Sequence, residues 1–516
     1  MSQIMNIKNL FKIVVVSGLL AGTSTSCSDW LEVDLEDSIL ENKLFETNEG
    51  YTSVLNGVYA KMNEQYGSTL SMGTIDAMAK LYDIGSNHNQ YPYYNFDFDG
   101  ANFKSMSGNV WTNLYSLIAN LNTLLDFCDA PESTLKEHYY PYIKGEALAL
   151  RAMLHFDLLR LYGPIYSEKT ANTVCIPYQE TSSKDIQPLL SAQAVLEKVI
   201  RDLNAASELL KDDRIRTEGV LNSEPENPNE EVDFRYRQFR LNYYAVQGLL
   251  ARAYLWKGDK ATAYQYAKSI ITENEANEIF KWTPKASIQG TNPDLIFSTE
   301  VMFGLYNLSR LNSYDNYFNP NASYTNALTF AGETMAEGDM TSKTNWFYDD
   351  INDLRLSEMW SVETIEEVDN YGATTMHTAL CFKKYDDVYV SSTRRYMIPL
   401  LRMSEIYLIA AECATDMNEA IGYVNAIRAN RNCVNIELTG NETQESIQTY
   451  IDNEFARETI GEGQLYFYYK RLAKTSVLSG SSGDYEWADW YGAEVDMDLQ
   501  NYVWPLPPVE EDKRAN

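Results

Sequence analysis

Residues 242–271 read NYYAVQGLLARAYLWKGDKATAYQYAKSII. The stretch reads as two antiparallel helices broken once, at Gly258-Asp259. Glycine takes the left-handed turn that ends a helix, and aspartate caps the backbone N–H groups that open the next. Gly248, Ala251, Ala263 and Ala267 are small enough to let the two helices approach closely. Residues 395–432, RYMIPLLRMSEIYLIAAECATDMNEAIGYVNAIRANRN, repeat the scheme. Their turn lies near Asp416, and the second helix carries Ala420, Val424 and Ile427. Working outward, residues 110–125 place Trp111, Leu114, Tyr115, Ile118, Leu121 and Leu125 at three-and-four spacing, one apolar face. A long helical run from Tyr142 to Tyr162 is stopped by Gly163-Pro164. Residues 191–210 form another amphipathic helix that opens at Ser191. Helix pairs of this kind stack, and their shared faces make the core.

The layout resembles tetratricopeptide units. The expected fold class is therefore all-α, with tetratricopeptide-like helix pairs within about 51–275 and 395–475. Between the pairs the texture changes. Residues 67–108 and 276–394, and the tail from Ser479, are rich in Asn, Ser, Thr, Gly, Asp and aromatics with weak periodicity. Long irregular insertions on a rigid helical frame are where such a protein is expected to work.

The chain has 516 residues, 45% apolar composition, 38 tyrosines and a net charge of −31. That acidity excludes nucleic acid as a partner, because such binding rests on Lys and Arg neutralising phosphates. It equally disfavours electrostatic docking on an anionic lipid surface. At the N-terminus Lys8 and Lys12 precede the apolar run IVVVSGLLAG, then TSTS, then Cys27. This is an export signal, residues 1–26, and the run is short of the roughly 20 residues that span a bilayer. It is read as a bacterial lipoprotein signal, cut before Cys27, which receives the lipid; Ser24 stands where leucine is usual. Cys128, Cys175, Cys381, Cys413 and Cys433 form no C-x-x-C, and four histidines offer no zinc spacing. These five cysteines are read as structural.

Two aromatic clusters lie in the insertions. Residues 87–100 read NHNQYPYYNFDFDG. The alternation of Tyr94, Phe96 and Phe98 suggests a short strand packed on the helices, and Phe96 and Phe98 lack a polar handle. Tyr91, Tyr93 and Tyr94 are read as a wet binding face stiffened by Pro92, with Asn87, Asn89, Gln90 and Asn95 beside the rings. The second cluster, residues 303–324, carries Phe303, Tyr306, Tyr314, Tyr317 and Asn319, which are read with the first cluster as ligand-binding residues. Asn95, Asp97, Asp99 and Gly100 match the start of a calcium loop, but Met106 stands where the bidentate Glu belongs. No nucleophile elbow, phosphate loop or zinc motif is present. A pair of carboxylates for glycan hydrolysis can be drawn from 73 acids, and the sequence names none.

Residues 144–164, KGEALALRAMLHFDLLRLYGP, resemble the signature helix of the SusD/RagB family of outer-membrane lipoproteins. The matching positions are Gly145, Glu146, Ala147, Leu150, Arg151, Ala152, Phe156, Leu158, Tyr162 and Gly163. Upstream, Trp111, Tyr115, Ile118 and Asn122 fit its pattern. Downstream, Arg457, Glu458, Glu462, Gly463 and Arg471 resemble its Arg-Glu…Glu-Gly…Arg helix, and Pro505 and Pro507 its ending. SDWLEVD after Cys27 also fits, so the resemblance runs over residues 27–516 as one unit. It implies a surface-exposed lipoprotein of the outer membrane. Such a protein captures oligosaccharide, or in some branches peptide, and sits as a lid on a TonB-dependent transporter of the SusC type. It implies no covalent chemistry and no cofactor, and that ligands sit where loops of the two insertions meet. An all-α glycoside hydrolase and a scaffold that binds only proteins are the competing readings. Glu146, Arg151, Glu462 and Arg471 are read as ion pairs and caps that lock helices together, not as ligand contacts.

Overall fold

The computed structural model describes residues 43–183, 185–225, 234–331, 344–368, 371–390, 392–481 and 493–515. Cys27 and the export signal lie outside the described residues.

Ten helices carry the frame: α1 (Asn48–Tyr66), α2 (Ala101–Asp129), α3 (Tyr140–Tyr162), α4 (Ala192–Leu209) and α5 (Tyr243–Lys257), then α6 (Lys260–Asn277), α7 (Met403–Cys413), α8 (Met417–Asn430), α9 (Gln444–Thr459) and α10 (Leu465–Arg471). Each packs on its successor in the order α1, α2, α3, α4, α5, α6, α7, α8, and α9 closes on α7 and α8. Helix pairs stacked in chain order are the tetratricopeptide arrangement expected from the sequence. The decisive turn is built as its residues require. Asn242 caps α5, accepting from Ala245 N at 3.0 Å, and Gly258 ends it at φ +85. Asp259 then accepts from Thr262 N at 3.0 Å and opens α6. A Cβ on Gly248 would stand 2.7 Å from Leu401 Cδ2, so the glycine is what lets the segment that carries Leu401 lie against α5. Ser191 and Asp416 cap α4 and α8.

Helix α3 is buried on all sides from Gly145 to Tyr162, so its polar residues need partners within the protein. Glu146 accepts from Tyr59 Oη at 2.9 Å and pairs with Arg237. Arg151 pairs with Asp202 of α4 at 2.8 Å. The α3 C-terminus is held from α10, where Lys470 Nζ donates to the carbonyls of Arg160 and Gly163 at 2.6 and 2.7 Å. A cation on the last carbonyls of a helix satisfies orphan acceptors and opposes the dipole. Arg471 pairs with Glu412 of α7, and Glu462 with Arg402 and Lys384. Glu146, Arg151 and Arg471 thus lock helices as expected, whereas Glu462, in the turn between α9 and α10, ties that turn to the Met397–Arg402 strand and to Lys384.

The deepest such assembly joins residues far apart in sequence. Arg431 bonds Glu300 and Glu458, Arg402 bonds Glu458 and Glu462, and Arg355 bonds Asp353, Glu454 and Glu458. Arg355, Arg402 and Arg431 are fully buried. Burial alone would raise the Glu458 carboxyl, but Arg431, Arg402 and Arg355 hold it well below the usual range.

The insertions depart from the expectation of irregular chain. Residues 276–394 contain β1 (Val301–Tyr306), β2 (Thr329–Ala331), β3 (Trp360–Val368) and β4 (Thr374–Phe382). β1 pairs antiparallel with β5 (Met397–Arg402), and β2, β4 and β3 form a three-stranded antiparallel sheet with β4 in the middle. Here β4 reads TTMHTALCF, polar at its start and apolar at its end, and is buried only from Ala379. That pattern hides the two-residue period. Residues 94–98 form no strand. Tyr91–Tyr94 is a single helical turn, and the chain bends at Phe96, whose φ is +55. Phe96 and Phe98 do pack on the core, Phe98 lying 4.6 Å from Phe103 between ring centres. The main core runs continuously from Phe45 to Trp504.

Candidate functional site

The Tyr91–Tyr94 turn is held from below and behind. Asp97 N donates to the Pro92 carbonyl at 2.8 Å, closing the turn. Lys80 Nζ lies 3.6 Å from the centre of the Tyr94 ring and 4.6 Å from that of Phe96, and donates to the Tyr94 carbonyl. Burial pushes the Lys80 ammonium down to about 7, while the two ring faces favour its charge. Tyr94 Oη lies 3.2 Å from Ser479 Oγ. Tyr91, Tyr93 and Tyr94 are half-buried, each with its body on the core. Tyr91 and Tyr94 lie 6.4 Å apart with rings inclined by 23°.

The second insertion meets this turn. Asn89 N donates to the Thr325 carbonyl at 2.8 Å, and the Asn89 amide bonds the Asn326 side chain. His88 Nδ1 accepts from Gln90 N at 3.0 Å, which leaves Nε2–H to donate to the Ala327 carbonyl at 3.1 Å. His88 is thus a neutral brace, its pKa pushed down to about 4 by burial. Tyr317 is also half-buried. Its phenol is raised above the ordinary value first by burial and then by neighbouring Tyr93. The two insertions therefore meet where His88 and Asn89 bond Thr325, Asn326 and Ala327.

At this junction opens a cleft of about 160 Å³, lined among others by Asp83, Asn87, His88, Tyr324, Thr325 and Glu367. Tyr324 stacks on His377 with ring centres 3.9 Å apart and planes inclined by 6°. Imidazole Nε2 of His377 lies 2.7 Å from Glu367 Oε2, and Tyr324 Oη lies 3.4 Å from Asp83 Oδ2. The cleft thus joins a flat aromatic platform to carboxylate acceptors and an exposed amide, Asn87. Such a set can cover an apolar ring face and receive hydroxyl hydrogens at its edge.

The residues singled out in the sequence divide. Asn87 lines the cleft and Asn89 bonds Thr325 and Asn326 beside it, whereas Gln90, Tyr91, Tyr93, Tyr94, Asn95 and Tyr317 are not among the described residues that form its walls. Asn319 is near it in the chain, but its amide is occupied by Asp315 at 2.6 Å and its Oδ1 by Asn321 N, so it braces its own loop. Phe303 and Tyr314 are corrections: they are 1% and 3% exposed and belong to the core. Phe303 falls inside β1, and Tyr314 on the inner face of the short helix Arg310–Tyr317. Tyr306 is 44% exposed but packs with Phe239 and Tyr396 in a separate cluster. Sequence reasoning missed Tyr324, Asp83, His377 and Glu367. Tyr324 ends the quoted aromatic stretch and could have been found; the other three carry no local signal. The calcium reading finds no partner set. Asp97 Oδ1 accepts Gly100 N at 3.0 Å, and among the described residues no group of three or more His, Cys, Asp or Glu is placed to hold a metal.

Comparison with known proteins follows the same lines. Residues 29–220 match the family model described as "Starch-binding associating with outer membrane", and residues 310–513 match the "SusD family" model. A SusD-like protein, P38, of Formosa agariphila is 29% identical over 41% of this chain and 39% of its own length. A SusD-like protein of Bacteroides ovatus is 24% identical over 39% of this chain and 38% of its own length, so each match spans about two-fifths of the relative. Among solved structures, a SusD superfamily protein from Bacteroides thetaiotaomicron superposes with a TM-score of 0.65 at 21% identity, over 90% of this chain and 98% of its own. A SusD-like carbohydrate binding protein from Bacteroides vulgatus gives 0.65 at 20% identity, over 91% and 97%. The signature helix, the Arg457–Arg471 segment, the stacked helix pairs and these matches together make this chain a member of the SusD/RagB family.

Proposed function

We propose that this chain is a glycan-binding lipoprotein of the bacterial cell surface, which takes up oligosaccharide at the junction of its two insertions and passes it to a TonB-dependent transporter of the SusC type. The observation that carries the reading is the meeting of His88 and Asn89, which lead into the Tyr91–Tyr94 turn, with residues 325–327 beside the Tyr324–His377 platform. Half-buried tyrosines fixed from behind offer rings whose ordering cost has already been met by folding. One relative of the same fold is named a carbohydrate binding protein, and one matching family model is described as starch-binding and outer-membrane associated. The anchor is lipid on Cys27; no helix among the described residues is long and apolar enough to cross a membrane. Several acyl chains on one cysteine hold a protein stably where one is marginal.

The protein binds and does not cleave. Incubation of residues 28–516 with an oligosaccharide panel tests this: saturable binding without change in chain length is expected. Shortened products would make it a hydrolase, and neither binding nor turnover would leave a scaffold. Cys27→Ala is expected to release the protein from the membrane fraction, and gentle solubilisation of the wild type to recover a large β-barrel partner.

A further inference from the structure

We propose a second binding site, for a small organic carboxylate, in the cavity that Arg310 and Arg394 share. The cavity holds about 200 Å³. It is formed by residues 291–296, by residues 383–389 just after β4, by Arg394, and by Arg310, which opens the short helix Arg310–Tyr317. Its described lining residues are all different from those of the Tyr324 cleft, so the proposal does not rest on the glycan reading. Arg310 is 3% exposed, as buried as the framework arginines. Arg151, Arg237, Arg252, Arg355, Arg402 and Arg431 each rest on a carboxylate. Arg310 instead spends two of its donors on neutral acceptors. Its Nη1 and Nη2 donate to the carbonyls of Arg394 and Asp386 at 3.4 and 3.2 Å, and its buried Nε–H meets no acceptor. Burial draws its guanidinium down to about 10, and Tyr385 and the acids nearby offset this only in part. Those acids are engaged elsewhere. Asp294 accepts from Ser298 N and Oγ at 3.0 and 2.6 Å, Asp387 from Arg395 at 2.8 and 2.7 Å, and Asp386 Oδ1 from Asp387 N at 2.7 Å. Arg394 repeats the pattern. Its Nη2 donates to the Asn292 carbonyl at 2.7 Å, its Nη1 stands 3.9 Å from Asp294 Oδ2, and its buried Nε–H meets no acceptor. A buried charge without its counter-charge is costly, and a carboxylate supplies both the charge and two acceptors for a guanidinium fork. Pro293, Leu295, Ile296 and Val388 make part of the wall apolar, which suits an organic body better than a hydrated inorganic ion. A void of about 150 Å³ takes a benzene-sized molecule, so this one takes an acid about the size of benzoate or a single uronate.

The test is calorimetric titration, at fixed ionic strength, of residues 28–516, which hold the whole core. The probes are benzoate and galacturonate, their neutral counterparts benzamide and galactose, trigalacturonate, and inorganic sulfate. Benzoate or galacturonate is expected to bind saturably, at least tenfold more tightly than its neutral counterpart and than sulfate. Arg310→Met should weaken that binding at least tenfold with the melting temperature unchanged or raised, because a buried charge leaves with the side chain. Arg394→Gln should weaken it at least threefold. Benzoate as the tightest probe identifies a free organic acid, and trigalacturonate tighter than galacturonate identifies the uronate of an oligosaccharide; either result upholds the site. Saturable binding of neither carboxylate overturns the proposal. So does sulfate bound as tightly as the carboxylates, or wild-type carboxylate affinity in Arg310→Met. If Arg310→Met does not fold, the wild-type order of probes and Arg394→Gln decide.

Discussion

The carboxylates around Glu458 and those around the Tyr324 cleft are the same chemical groups under opposite rules. Near Glu458 every acid meets a guanidinium or ammonium: Glu300 and Glu458 on Arg431, Glu454 and Asp353 on Arg355, Glu462 on Arg402 and Lys384. Water is excluded there, and a charge without its counter-charge would cost several kcal/mol. At the cleft, Asp83 and Glu367 line an opening in which no lysine or arginine stands among the described residues of the wall. Their neighbours there are a phenol and an imidazole, Tyr324 and His377. The lesson is that the family-signature acids are framework. Glu458 and Glu462 match a family motif and face inward, whereas Asp83 and Glu367 match none and line the cleft.

Breaking the framework side should have the largest effect. Arg431→Ala leaves Glu300 and Glu458 buried without their fork, and about 3–5 kcal/mol of stability should go, read as a large drop in thermal or urea midpoint. Arg431→Met, which keeps the packing, should lose nearly as much because the two acids stay behind. On the ligand side, Tyr324→Ala should weaken an array-identified oligosaccharide about tenfold, near 1.4 kcal/mol, with the melting temperature unchanged. Tyr93→Ala and Tyr91→Ala should each fall in the same range, and Phe303→Ala should instead lower stability. Calorimetry beside a melting curve separates the two classes.

The smallest effect is a pH slope. Lys80 has its ammonium lowered from 10.5 to about 7 by burial. Between those values the unfolded chain holds a proton that the folded one lacks, so Lys80 makes stability rise as pH climbs from about 7 to about 10.5. Ring faces and the Tyr94 carbonyl offset part of this. Lys80→Met should therefore flatten the stability–pH curve above pH 7 by about 1 kcal/mol between pH 7 and 9, measured by urea unfolding of both proteins.

The helical frame was legible because its signals are local. Gly258-Asp259, Ser191, Asp416 and Gly163 each mark an end that periodicity alone leaves loose, and each sits at the end it marks. The insertions were less so. β4 runs from a polar, exposed start to an apolar, buried end, and β1 is buried on both faces up to Tyr306, so neither shows alternation. The composition around Phe303 and Tyr314 suggests ligand contacts, yet burial depends on which face a strand or turn presents, which depends on partners far along the chain. The turn of tyrosines at 91–94 was recognisable as a half-wet aromatic surface. Asp83, His377 and Glu367 were not, because only the pairing of β3 with β4 and of Asp83 N with the Thr329 carbonyl brings them together.

Amide hydrogen exchange with and without a bound oligosaccharide tests the central claim most directly. Protection should appear in 83–95 and 317–327 and on β3 near Glu367, while β1 and the helices around Glu458 exchange as before. Protection confined to other segments, with 83–95 and 317–327 unchanged at saturating ligand, would contradict the assignment of the site.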